Sequence, residues 1–136
     1  MGEWGVGPFD NDDAADWIDK LEEAPAISTV RRALDIATMR YVEVREASVA
    51  VAAAQIVAAA LGHPGPALPT RAAAWVKEHS TIVTDQDQTL AIAAVDRVLG
   101  DYSELRALWA ESPDAGWNDQ MQELRHRLRR PPTPQC

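Results

Sequence analysis

Apolar residues recur along this chain every three or four positions, the spacing that lines one face of an α-helix. After Asp10, for example, Ala14, Trp17, Ile18 and Leu21 fall on one face. The same pattern predicts further helices over residues 27–41, 43–61, 70–79, 85–99, 104–109 and 117–128. Residues 41–44 and 80–84 are the nearest to strands, and both are too short. The sequence therefore predicts an all-α protein.

The third of these helices differs from the others because residues 47–61 are apolar on most faces and consist mainly of alanine. A helix that is apolar all round belongs in the middle of a bundle. This stretch is about five residues too short to span a bilayer, so no membrane partner is expected. Gly62 and Pro64 are predicted to end the helix. We expect a single compact domain over residues 1–130, an irregular or orthogonal bundle of six to seven short helices, and a disordered proline-rich tail at 131–136.

Polar residues before the apolar segments predict where several helices begin. Asp10 is a candidate N-cap for the first helix and Thr70 for the fourth. Thr84 or Asp85 would cap the fifth helix. The sixth would start either from a capping box between Asp101 and Glu104 or from Ser103.

The stretch 2–17 combines three glycines, a proline, two tryptophans and four aspartates. Its W-G-x-G-x-F-x-N-D pattern consists of Trp4, Gly5, Gly7, Phe9, Asn11 and Asp12. This pattern resembles the start of a bacterial family known as domain of unknown function 4259. The resemblance extends through the alanine-rich helix and the segment "RVLGDYSELRALW". It implies a small bacterial cytoplasmic protein, and it implies no reaction and no catalytic residues.

The aspartates of this stretch have a structural interpretation and a functional one. In the first, Asp10 caps the helix, Phe9 packs on Ala14, and Asp12 and Asp13 favour the positive end of the helix dipole. In the second, the cluster holds a divalent cation. A calcium loop beginning at Asp10 would place alanine and leucine at ligand positions, so we expect no metal site.

Composition narrows the functions further. The formal net charge of −8 opposes nucleic-acid binding. The single cysteine, Cys136, forms no intrachain disulfide, and no targeting segment is visible, so a cytoplasmic location is expected. Three histidines, including His79, lie in separate segments without metal-ligand spacing. We expect no cofactor.

Two functional hypotheses follow. The first is a protein-interaction or self-association module that binds a protein partner or a second copy. The second is a cofactor-independent enzyme or small-ligand binder with a tryptophan-lined pocket. Tryptophan is enriched at binding surfaces, and carboxylates buried beside it acquire raised pKa values. The candidate binding residues are Trp4, Asp12, Asp13, Trp75 and Trp109, and the candidate acid–base residues are Asp10, Asp12, Asp16 and His79. A histidine at a helix end more often binds backbone carbonyls.

Overall fold

The computed structural model describes residues 12–23, 26–38, 41–65, 68–100, 103–111 and 116–131. These residues form seven α-helices and a 3₁₀ turn at Ser80–Ile82. The helices are α1 (Asp12–Glu23), α2 (Ile27–Ala37), α3 (Val44–Ala60), α4 (Thr70–His79), α5 (Asp85–Val98), α6 (Glu104–Ala110) and α7 (Gly116–Arg129). No strand forms in this part of the chain; Val42 and Ser103 make an isolated parallel bridge. The predicted all-α bundle is confirmed.

Helix α3 lies at the centre of the bundle. Residues 50–60 are all buried, and each of the other six helices packs against α3. Alanine permits this because its small side chain lets neighbouring helices approach from every direction, and it has the highest helix propensity. The predicted central position of the alanine-rich helix is confirmed.

Both ends of α3 are satisfied by hydrogen bonds. At the N-terminus, the Val44 backbone amide donates to the Glu104 carboxylate at 2.8 Å, and the Glu104 amide donates to the Val42 carbonyl at 2.8 Å. At the C-terminus, Gly62 has φ 97°, and the amides of Gly62 and His63 donate to carbonyls of the last turn. This is a Schellman motif, which requires the left-handed conformation that glycine adopts readily. The prediction that Gly62 ends α3 is confirmed.

Two of the predicted helix boundaries are wrong. Thr70 is the first helical residue of α4, and Pro69 occupies the N-cap because its carbonyl accepts the first helical bond, from Ala73 at 2.9 Å. Helix α2 ends at Ala37 instead of continuing to Tyr41. There the Thr38 hydroxyl donates to the Asp35 carbonyl at 2.8 Å, a local bond that competes with further helix.

The predicted caps of α5 and α6 include the correct residues. Thr84 is the N-cap of α5, where its hydroxyl accepts from the Asp87 amide at 3.3 Å and its amide donates to the Asp87 carboxylate at 2.9 Å. Ser103 is the N-cap of α6, and its hydroxyl accepts from the Arg106 amide. Asp10 lies outside the described residues, as does Asp101.

The helices around α3 also pack on one another, and α2 contacts α5 as well as α3. Helices α5 and α7 pack on each other and on α3, whereas α1 packs on α3 and α4. Although α1 and α2 follow one another in the chain, each packs more extensively on α3 than on the other. A space is therefore left between α1 and α2. No helix in the described part of the chain has the length and apolarity to cross a membrane.

Candidate functional site

The space between α1 and α2 is an open groove of about 680 Å³, with the first turns of α3 closing it from below. We call it the α1–α2 groove. Its lining residues are Asp13, Asp16, Trp17 and Lys20 from α1, Ser28, Thr29, Arg32, Ala33 and Ile36 from α2, and Glu43, Arg45, Glu46 and Val49 from α3 and its N-cap. The α1 residues are spaced by three and four positions, so they form one stripe of that helix.

The floor of the groove is apolar. Trp17 and Ala33 are buried and belong to the hydrophobic core, and Val49 is partly buried against it. Ile36 is 37% exposed, which makes it one of the few large hydrophobic side chains that the described chain leaves in solvent. The groove therefore offers apolar surface that the fold itself does not cover.

The walls of the groove carry charges of both signs. Asp13, Asp16 and Lys20 lie on α1, Arg32 lies on α2, and Glu43, Arg45 and Glu46 lie at the N-terminus of α3. Asp16, Arg32 and Arg45 are exposed. The ion pairs found among the described residues involve other side chains.

In contrast to the groove, the opposite flank of α1 carries charged side chains that form ion pairs within the protein. Arg71 of α4 binds both Asp19 and Glu22 on the opposite flank of α1, with 2.9 Å between its Nε and the Glu22 Oε1. That hydrogen bond lowers the pKa of Glu22. One flank of α1 is thus tied to a neighbouring helix, while the flank that carries Asp13 and Asp16 faces the groove.

Two buried charged side chains lie away from the groove. The Asp87 carboxylate accepts from Arg31 Nε at 2.6 Å and from Thr84, and its side chain is 3% exposed. Burial raises the pKa of Asp87, but the hydrogen bonds from Arg31 and Thr84 outweigh burial, so the pKa lies below its usual range. Asp87 is thus held as a carboxylate in the interface between α2 and α5, with its oxygens already in use.

The second buried charge is Arg127 of α7. Its guanidinium donates to Gln55 Oε1 at 2.9 Å, to the His63 carbonyl at 3.0 Å and to the Glu123 carboxylate at 2.5 Å. Gly65 lies over this group, since a Cβ there would be 3.0 Å from Gln55 Oε1 and 3.1 Å from Arg127 Nη2. We call these five residues the Arg127 cluster.

The structure places only some of the sequence-predicted binding and acid–base residues in the groove. Asp13 and Asp16 line the groove, and Asp12, the first residue of α1, is exposed outside its lining. Trp75 is buried in the core under α4. Trp109 is partly buried on α6, and its indole Nε1 is buried with no hydrogen-bond partner in the described chain. Trp4 and Asp10 lie outside the described residues.

His79 binds a backbone carbonyl, as expected for a histidine at a helix end. Its ring stacks on the Trp75 ring with centroids 4.8 Å apart, and its Nδ1 lies 3.0 Å from the Trp75 carbonyl oxygen. Because a carbonyl oxygen only accepts, Nδ1 carries the proton that it donates. His79 is therefore part of the α4 C-terminus and does not line the groove.

Ile36, Arg32 and Arg45 were missed by sequence reasoning. Ile36 offered the clearest signal, because it falls off the Val30–Ala33–Ala37 stripe and puts a large apolar side chain on the polar face of α2. No group of three potential metal ligands is found among the described residues.

Comparison with known proteins identifies the family of the chain. A model of the family described as "Domain of unknown function (DUF4259)" matches residues 2–123. The chain belongs to the DUF4259 family. The matched region contains the whole α1–α2 groove and stops within α7, before Arg127. No curated protein and no solved structure matches the chain.

Proposed function

We propose that this DUF4259 protein is a protein-interaction module whose α1–α2 groove binds a segment of a protein partner. The observation that carries the proposal is the combination of exposed Ile36 on an apolar floor with wall charges that lack ion-pair partners in the described chain. Binding surfaces typically combine a desolvated apolar centre with a polar rim. The groove has this composition on a small scale.

The environments of Asp87 and Asp16 favour binding over acid–base catalysis as the function of the groove. A catalytic carboxylate usually needs a perturbed pKa beside an accessible cavity. In the described chain, the buried carboxylate is Asp87, and its oxygens are used by Arg31 and Thr84. Asp16 in the groove is exposed to water instead.

A small-molecule ligand is the second candidate. The groove volume of about 680 Å³ falls within the range of small-ligand sites. Such sites normally enclose most of their ligand, however, whereas this groove is only partly enclosed. A partner segment fits an open surface better than a small ligand does.

We propose one domain over residues 1–130, which is supported by a single hydrophobic cluster that draws side chains from all seven described helices. We also propose a bacterial cytoplasmic protein, supported by the presence of only one cysteine and by the resemblance noted above. A net charge of −8 supports partners other than nucleic acid.

The test compares Ile36→Asp with Ile82→Asp. Ile82 is 40% exposed, almost the same as Ile36, but does not line the groove, so it is a matched control. Proteins captured from the native host's lysate are quantified by mass spectrometry, and each candidate partner is purified and titrated. We expect Ile36→Asp to weaken binding of a true partner by at least about tenfold, since apolar anchors dominate interface energies. Ile82→Asp should bind as the unaltered protein does.

Two results would contradict the proposal. Equal binding by all three proteins would mean that the groove is not the interaction surface. If Ile36→Asp instead abolished binding of a compound that passes through a protein-retaining filter, the groove would be a small-ligand site.

A further inference from the structure

We draw no further inference here: the strongest candidate, the α1–α2 groove with its exposed Ile36, belongs to the site already described, and because acidic and basic side chains occur on both of its sides, nothing in the described chain shows what covers it.

Discussion

The Arg127 cluster and the α1–α2 groove use charged residues in opposite ways. Arg127 is buried and directs its guanidinium at Gln55, His63 and Glu123. Arg32 is exposed, lines the groove and takes part in none of the ion pairs found in the described chain. Removing one partner of a buried charge is costly because the other is left buried and unpaired, whereas exposed charges without partners contribute little to stability. The comparison separates a cluster that stabilises the fold from a groove with exposed charges, for which binding is proposed.

Removal of the Arg127 side chain should have the largest effect of the changes considered. Arg127→Ala leaves the Gln55 amide oxygen and the His63 carbonyl without their donor and removes a buried aliphatic stem. Each unsatisfied buried acceptor costs about 1 to 3 kcal/mol, so we expect a loss of about 3 kcal/mol in the free energy of unfolding. Chemical denaturation followed by circular dichroism measures this loss.

The control for this change lies two residues along the same helix. Arg129 is exposed, and Arg129→Ala should alter the free energy of unfolding by no more than about 0.5 kcal/mol. Similar losses for the two variants would show that the burial of Arg127 adds nothing, and the proposed division of the molecule would be wrong.

The buried pair between α2 and α5 gives a pH-dependent prediction. Because the folded-state pKa of Asp87 is lowered, its ionised form stabilises the fold above its unfolded pKa of about 4, and this stabilisation is lost as the pH falls through the lowered value. We expect Asp87→Asn to cost about 2 kcal/mol at neutral pH, where it removes charge-assisted hydrogen bonds from Arg31 and Thr84. The difference between the two proteins should shrink in acid.

Denaturation of both proteins between neutral pH and about pH 2 measures this difference. Asp85→Asn is the control, because Asp85 is an exposed carboxylate in the first turn of the same helix. It should cost less than about 1 kcal/mol, the usual contribution of a charge near a helix end. A stability difference for Asp87→Asn that stays constant with pH would mean that its charge has no role in folding.

Gly65→Ala should have a smaller effect that depends on the same cluster. The added Cβ would lie 3.0 Å from Gln55 Oε1 and 3.1 Å from Arg127 Nη2, and these two groups hold each other in place. We expect a loss of about 1 to 2 kcal/mol from overpacking. Thermal and chemical denaturation of Gly65→Ala, of Arg127→Ala and of the double variant measures the energetic coupling between the two positions.

In the Arg127→Ala background, the methyl group of Gly65→Ala should be better tolerated because the guanidinium is gone. The two effects should therefore be non-additive. Strict additivity would indicate that Gly65 acts through the unfolded chain or through its own backbone instead of through the cluster.

The two regions also differ in how far the sequence predicts them. Apolar spacing identifies the buried faces of α1 and α2 from Trp17, Val30 and their neighbours, and the alanine content of α3 places it at the centre. Spacing within one helix says nothing about the angle between two helices, so it did not reveal the space between α1 and α2. The sequence pointed to Asp13 and Asp16 but missed Ile36.

Side-chain contacts between residues far apart in the chain were also not predictable from the sequence. Arg31 and Asp87 are 56 positions apart, and Gln55 and Arg127 are 72 apart. A charged residue that will be buried looks the same in a sequence as one that stays in water. Asp87 could be anticipated only as the third residue of a helix that begins after Thr84, which gives its local capping role but not its partner Arg31.

The groove charges should have the smallest effect on stability. Asp16→Lys and Arg32→Glu, made singly, should each change the free energy of unfolding by no more than about 0.5 kcal/mol, because both side chains are exposed and neither loses an ion pair within the described chain. Chemical denaturation measures this under the conditions used for Arg127→Ala. A loss above about 1 kcal/mol would mean that these charges support the bundle. Near-unchanged stability combined with weaker partner binding would assign the Asp16 and Arg32 side chains to recognition alone, which is the role that separates this groove from the Arg127 cluster.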